Sequence, residues 1–227
     1  MSATANDSLS PRSLQVALLR LSQTSGQVVQ GCYTRGDLLY RQGELAAALF
    51  YIAKGRVRTF VMAPDGREKT FLIVSPGNLL NDVAFYLGIE QQTSAEALDR
   101  CVEAYRIDKA GFDHLLEAIP GVARFLLSSL AAKTSSLIDD MTSQSFRDVR
   151  GRVQLILIRL AEQYGVVTPQ GIRIELRITH EALANMVGAN RAHVSACLSA
   201  LQQDGFYRVV DQRIVLAPWA IGQLLPP

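Results

Sequence analysis

Hydrophobic and polar positions change rhythm twice along the chain. From Gln30 to Arg106 the apolar residues come in short alternating runs, punctuated by Gly36, Gly43, Gly55, Gly66 and Gly77. The last three stand 11 residues apart, which suits short strands joined by tight turns. Leu49–Ile52, Val57–Val61, Thr70–Val74 and Ala97–Ile107 are the best strands, with Pro64-Asp65-Gly66 as a hairpin turn. An antiparallel β-roll or barrel is the natural expectation, and a generic β-sandwich would share the periodicity. Ahead of it, Met1–Arg12 reads as a frayed start and Ser13–Leu21 as a short helix, with Leu14, Val16, Leu18 and Leu21 partly buried.

Beyond Arg106 the period becomes helical. Lys109–Ile119 is a short amphipathic helix stopped by Pro120, and a long helix runs from Val122 to about Ser143. Ala123, Leu127, Leu130, Thr134, Leu137 and Met141 follow 4, 3, 4, 3, 4 spacing, the seam of a coiled coil. Phe125, Leu126 and Ile138 lie beside that seam, so one flank can face the β region while Leu127, Leu130, Thr134, Leu137 and Met141 meet a second copy. An internal core helix would show the same spacing. Phe146, Arg147 and Asp148 read as a hinge, with Asp148 able to cap the next helix, Val149–Tyr164. Val166–Gly171 reads as a loop and Arg173–Arg177 as a strand.

The last pattern is the most specific. Two short apolar-periodic segments flank Val187-Gly188-Ala189. Thr179 can cap the first and Asn190 the second, and Gly205 supplies a left-handed residue past the end. Leu183, Val187, Val194, Leu198 and Leu201 fall where two crossed helices would pack, Ala184 is small at their approach, and Gly188 sits where the turn needs positive φ. Many helical hairpins are packing motifs only. Here, however, Phe206–Val210 and Arg213–Leu216 follow as two short strands around Asp211-Gln212. Helix, turn, helix and wing in that order predict a DNA-reading unit whose second helix enters the major groove.

Composition changes this picture little. A chain of 227 residues, 48% apolar and 19% charged, suits two modest globular domains. The longest apolar run, Leu45–Ala53, falls well short of the roughly 20 residues of a spanning helix. Met1–Ser10 lacks the layout of a signal peptide. Cys32, Cys101 and Cys197 share no metal-like spacing and form no even-numbered disulfide set, so a cytoplasmic protein without membrane partners is expected. The net charge is only +2; from Asp148 onward eight Arg face six acids, giving +2, while the fifteen bases and fifteen acids of residues 1–147 cancel. All the excess is arginine, the better fork for phosphates and guanine edges.

The order roll, long helix, hinge, winged helix resembles the CRP/FNR family of bacterial transcription regulators. The likeness spans about Gly31 to Leu216 and rests on Arg35–Phe60, Ala63–Asn78, Phe146–Ala161 and Ile178–Val194. It implies an α+β fold: an N-terminal antiparallel β-roll, cyclic-nucleotide-binding-like, over 1–120, a long dimerisation helix over 121–145, and a C-terminal winged helix-turn-helix over 146–227. It also implies a homodimer on palindromic double-stranded DNA, with RNA polymerase a further candidate partner.

The resemblance fails at the effector pocket. Cyclic-nucleotide-binding members carry Gly-Glu-Leu and later Arg-Ser-Ala, the Glu holding the ribose and the Arg the phosphate. The matching residues are Asn81-Asp82-Val83 and Thr93-Ser94-Ala95, and no Lys or Arg occurs from Thr70 to Asp99. The base-contacting Thr-Ser pair of those members falls on Leu137-Ile138. A buried phosphate without a cation is costly, so cyclic AMP is disfavoured. No cofactor is expected either: the cysteines are not clustered for iron–sulfur, and His114, His180 and His193 lie off the roll strands, leaving Met62 and the cysteines as weak haem ligands. What remains is a small, largely apolar effector among Leu79, Asn81, Asp82, Val83, Phe85, Tyr86, Thr93, Ser94, Leu137 and Ile138. Effector-free DNA binding is the alternative.

At the recognition helix the family's Arg-Glu-Thr falls on Arg191-Ala192-His193, with Ala196 at a later Arg. The resemblance thus assigns guanine reading to Arg191, at most a thymine-methyl contact to Ala192, phosphate or base contacts to His193 and Ser195, and backbone positioning to Thr179, His180 and Asn190. A half-site unlike the usual TGTGA follows. An enzyme is disfavoured: Gly31–Arg106 holds no histidine for a cupin-type metal, and no nucleophile elbow, P-loop or dinucleotide fingerprint occurs. A sensor module acting on a protein partner would not need the winged helix.

Overall fold

The computed structural model describes residues 9–223, beginning with helix α1 (Pro11–Thr24). The Ser10 hydroxyl accepts the Ser13 N–H at 3.1 Å, and Pro11 takes the first turn, where its missing N–H has no helical partner to lose. Pro11 and Arg12 are therefore helical, so the frayed start expected over Met1–Arg12 is corrected there. Met1–Ser8 lie outside the described residues.

Eight strands follow: β1 (Val28–Tyr33), β2 (Leu38–Tyr40), β3 (Leu49–Lys54), β4 (Val57–Met62), β5 (Glu68–Val74), β6 (Leu79–Leu80), β7 (Ser94–Ala97) and β8 (Val102–Ile107). They form two antiparallel sheets in the orders β1-β8-β3-β6 and β2-β7-β4-β5, and a short helix α2 (Asp82–Leu87) follows β6. The apolar run around β3 makes sense here, because this strand has no wet face over Leu49–Ile52. Leu49 and Tyr51 join Leu14, Leu18, Phe112 and Leu115 in one core, while Phe50 and Ile52 join Val57, Val74, Ala95 and Val102 in another. Each Val, Leu, Ile or Phe among them contributes about 1.5–3 kcal/mol by leaving water.

The single strand expected over Ala97–Ile107 is instead two strands in different sheets. Leu98–Cys101 turns the chain between them. Leu98 N–H donates to the Arg56 carbonyl, Arg35 Nε donates to the Leu98 carbonyl at 2.8 Å, and Arg56 grips both oxygens of Asp99 at 2.6 and 2.8 Å. The turn falls where Asp99-Arg100 interrupts the apolar period, and its side-chain bonds separate the two strands. Helix α3 (Lys109–Ala118), capped by Asp108, leads to α4 (Val122–Phe146).

The chain divides into two units, Met1–Val61 with Phe71–Ile138 and Met62–Thr70 with Asp139–Pro227. In the second, α5 (Val149–Tyr164) starts where the Asp148 carboxylate accepts the Gly151 N–H at 2.7 Å. Phe146 is still the last residue of α4, so of the expected hinge residues only Arg147 and Asp148 lie in the break between α4 and α5. Then come β9 (Gly165–Thr168), β10 (Gly171–Ile174), α6 (His180–Val187), α7 (Arg191–Gln203), β11 (Tyr207–Val210) and β12 (Arg213–Leu216), with sheet order β11-β12-β10-β9. The loop expected over Val166–Gly171 is largely strand β9 and a tight turn, closed by the Thr168 hydroxyl donating to the Gly171 carbonyl at 2.8 Å. The strand expected over Arg173–Arg177 ends at Ile174, because Glu175 N–H turns to the Tyr164 carbonyl. The wing turn forms as expected, with Asp211 and Gln212 both at positive φ. Among the described residues no single helix is long and apolar enough to cross a membrane.

Candidate DNA-reading face and effector cavity

The reading face is assembled by local rules. Thr179 Oγ1 accepts the Ala182 N–H at 3.0 Å and starts α6; Asn190 Oδ1 accepts the Ala192 N–H at 2.7 Å and starts α7. Between them Gly188, at φ 69, closes α6 by donating to the Ala184 carbonyl. Leu183, Val187, Val194, Leu198 and Leu201 are buried, and α5, α6 and α7 pack together through them. Burying those faces turns Asn190, Arg191, Ala192 and His193 outward, all four exposed. His180 Nδ1 and Ser195 Oγ stand 2.9 Å apart, so these two hydroxyl- and imidazole-bearing positions act as one polar unit beside the helix start.

Arg191 is held loosely. Its Nε lies 3.7 Å from Glu181 Oε2, and both side chains are more than half exposed. Most other arginines from Asp148 onward pair within the fold: Arg150 with Asp204, Arg159 with Asp140, Arg173 with Glu175, and Arg177 with Gln212. Arg208 and Arg213 donate to the carbonyls of Gln170 and Glu175, and Arg152 Nε is buried without a partner. The arginine excess is therefore mostly structural, and its value as a DNA signal concentrates on Arg191. Within the same unit Lys69 donates to the Met186 carbonyl at the end of α6, and Asn185 donates to Glu68 at 3.3 Å. Burial, partly offset by Asp140, pushes the Lys69 ammonium below the usual lysine range.

The first unit holds a cavity of about 290 Å³. Of the residues expected to meet an effector, Asn81, Asp82, Val83, Thr93 and Leu137 line it. Leu79, Phe85, Tyr86, Ser94 and Ile138 do not, which corrects those assignments. Leu79 and Phe85 point into the helix-side core, Phe85 meeting Phe112 edge-on at 5.5 Å. Tyr86 and Ile138 are exposed, and buried Ser94 accepts the Gln42 N–H at 3.0 Å. Tyr40, Thr59, Val61, Phe71, Val74, Gln91 and Lys133 line the cavity without having been anticipated. They come from β2, β4, β5, the segment before β7 and α4, and only the alternation of each strand about the roll interior could have found them.

Lys133 matters most. Its Nζ donates to Asp82 Oδ2 at 2.5 Å and to the Leu79 carbonyl at 2.8 Å. The cavity does hold a cation: α4 supplies it from outside the Lys- and Arg-free stretch Thr70–Asp99. That cation is already neutralised by a carboxylate only 6% exposed. Asn81 is held at φ 69, a left-handed conformation that asparagine tolerates, and its Nδ2 donates to the Ala48 carbonyl at 2.7 Å. Burial pushes the Tyr40 phenol up to about 12, so it stays a hydrogen-bonding neutral group.

On the outward side of α4, Leu127 and Met141 are 67% and 70% exposed, Leu137 and Thr134 are also exposed, and Leu130 packs partly against the core. Leu126 is buried and Phe125 packs partly on the same core. Among the described residues no group of three or more His, Cys, Asp or Glu could hold a metal ion.

A family model of the cyclic nucleotide-binding domain matches residues 31–118, and one of the Crp-like helix-turn-helix domain matches residues 151–220. A CRP-like cAMP-activated global transcriptional regulator of Mycobacterium tuberculosis is 26% identical over 185 residues, 82% of each chain. The cyclic AMP receptor protein of Thermus thermophilus is 29% identical over 177 residues, 78% of each chain. In three dimensions the c-di-GMP responsive global regulator CLP of Xanthomonas campestris matches with a TM-score of 0.76 at 19% identity, over 89% of this chain and 99% of that one. A likeness at that identity is one of fold.

Proposed function

The chain belongs to the CRP/FNR family of bacterial transcription regulators, and from that premise we propose that it works as a homodimer on a palindromic operator. It is a DNA-binding regulator, as its relatives are, and not an enzyme. Each protomer sets α7 into one major groove. Arg191 takes a guanine through O6 and N7, His193 and Ser195 meet neighbouring phosphates or bases, and Thr179, His180 and Asn190 position the backbone. Ala192 has no acceptor for a cytosine amine, so the half-site departs from TGTGA. The exposed start of α7, with Arg191 only loosely paired, is the observation that carries this reading. Dimerisation uses Leu127, Leu130, Thr134, Leu137 and Met141 of α4, and the exposed Leu127 and Met141 support it. The protein acts in the cytoplasm, and RNA polymerase is a candidate partner.

A small, uncharged and largely apolar effector occupies the roll cavity and biases the α4 seam, and the Arg147-Asp148 break lets the reading heads change their setting. A cyclic nucleotide fits poorly: its phosphate would have to pull Lys133 from Asp82 and leave that carboxylate buried and repelling. A second reading, DNA binding with no effector, is favoured by the same ion pair, since the cavity's charges are satisfied without a ligand.

DNA selection from a random duplex library tests the main reading. A palindrome with half-site centres about 34 Å apart, one helical turn, is expected; enrichment of no site, with or without cell extract, would overturn it. Thermal melting with cyclic AMP tests the effector claim: no stabilisation is expected, and a saturable rise would refute it.

A further inference from the structure

Away from both sites, reactive side chains gather at one end of the β1-β8-β3 sheet. Cys32 on β1 stands directly across from Glu103 on β8, and Lys54 at the end of β3 faces the same Glu103 from the other side. Directly opposed residues share a face, so these three side chains form a row. Cys101 lies two positions before Glu103 and so on the same face. Its Sγ donates toward Glu103 Oε1 at 3.9 Å, and Lys54 Nζ donates to that same oxygen at 3.3 Å. Glu103 is thus the hub of a cluster of two thiols and one ammonium, drawn from segments far apart in sequence. Both thiols are exposed, whereas Cys197 on α7 is partly buried with no such company.

The surroundings suit redox chemistry. A thiolate is the reactive form of cysteine, and a nearby ammonium stabilises it. The Lys54 ammonium is held above the usual lysine range first by the hydrogen bond to Glu103, then by Cys101, with Cys32 a smaller contributor. An exposed thiol beside a second one is the arrangement in which a sulfenic acid is resolved to a disulfide before it oxidises further. Diagonal neighbours across antiparallel strands stand about 7–8 Å apart at Cα, a little beyond the roughly 6.8 Å limit of a disulfide. Cys101 precedes the first ladder residue, Val102, so closing the bond requires the backbone at this turn to shift toward β1.

We propose that Cys32 and Cys101 form a peroxide-responsive dithiol on the roll, closing reversibly to a disulfide. The Cys101 thiolate attacks one oxygen of a hydroperoxide; the O–O bond breaks, a sulfenic acid forms, and the departing hydroxide takes up a proton as water. The Cys32 sulfur, losing its proton, then attacks the sulfenic sulfur. The S–S bond forms as the S–O bond breaks and a second water leaves. Two thiols give up two electrons, and one hydrogen peroxide becomes two waters. A dithiol reductant reverses the change.

The full-length protein, reduced and then titrated with hydrogen peroxide, is blocked with iodoacetamide and mapped by mass spectrometry without reductant. A cross-linked Cys32–Cys101 peptide is expected, reversible by dithiothreitol, with Cys197 still alkylated. Cys32→Ser should trap Cys101 as a dimedone-reactive sulfenic acid, and Cys101→Ser should leave Cys32 unoxidised at the same dose. Lys54→Met should slow thiol loss several-fold with an unchanged circular dichroism spectrum. Oxidation of Cys197 as fast as Cys101, separate sulfinic acids without a cross-link, or a disulfide only between chains would overturn the proposal. An unchanged rate in Lys54→Met would remove the lysine's part in it.

Discussion

The reading face and the roll cavity hold their charges in opposite ways. At the start of α7, Arg191 and Glu181 sit 3.7 Å apart with most of both side chains in water, so the guanidinium can leave its partner at little desolvation cost. In the cavity, Lys133 and Asp82 are closed on each other at 2.5 Å, and Asp82 is 6% exposed. A ligand that wants either charge must first open a buried pair. The first site is built to exchange one ionic partner for another. The second is already neutral as it stands, which is the ground for proposing an uncharged occupant.

Removing one partner from the closed pair tests this contrast most severely. Lys133→Ala leaves Asp82 buried and unpaired, and should lower stability in urea denaturation by about 3–5 kcal/mol. The double variant Lys133→Met/Asp82→Leu should recover most of that loss, since apolar groups of similar volume replace the pair without an orphan charge. A loss under about 1 kcal/mol for Lys133→Ala would mean the pair behaves like a surface salt bridge, and the contrast between the two sites would collapse.

The next largest effect sits beneath the reading face. Leu183 is fully buried between the helices, and Leu183→Ala should cost about 2–5 kcal/mol through the cavity it leaves. Calorimetry should show the second unit melting early, and operator binding should fall at temperatures where the first unit stays folded. Equal destabilisation of both transitions would show that the two units do not melt separately.

The contrast also explains what was legible in the sequence. The reading face lies in one stretch from Thr179 to Gly205, where caps, a left-handed glycine and a helical period are local signals, and each of Leu183, Val187, Val194, Leu198 and Leu201 is buried as the period implied. The roll could be read as strands and turns, but its cavity is built from residues between Tyr40 and Leu137. Which of them face inward depends on sheet pairing that periodicity does not determine. Phe85 and Leu79 looked like lining because they neighbour Asp82, yet the α2 turn and strand alternation send them to the other core. Lys133 was invisible as a cavity residue because it sits on a helix read for its dimer seam. Leu98–Cys101 hid a sheet change for a similar reason, because the turn is held by Arg35 and Arg56 from elsewhere in the chain.

At the exposed site the effects should fall on binding and leave folding alone. Arg191→Ala should weaken specific operator binding by about 1–3 kcal/mol and relax the preference at one base pair. Its thermal midpoint should stay near that of the parent, since the Glu181 pair is a surface one. Gel-shift titration against the selected operator and a scrambled duplex would check both parts. Equal loss on the two duplexes would reassign Arg191 from base reading to phosphate contact.

The smallest effect separates the two roles given to Asn190. Its Oδ1 caps α7 through the Ala192 N–H, which leaves the amide nitrogen free to meet a phosphate. Asn190→Ala should cost about 1 kcal/mol in stability, and Asn190→Gly only a few tenths. Asn190→Asp keeps the cap and places a negative charge where the amide stood. Stability should then hold at the parent level, while affinity falls similarly on operator and non-specific DNA, as a phosphate contact requires. If Asn190→Asp binds DNA as well as the parent does, Asn190 serves the helix start alone and the backbone contact belongs to Thr179 or His180.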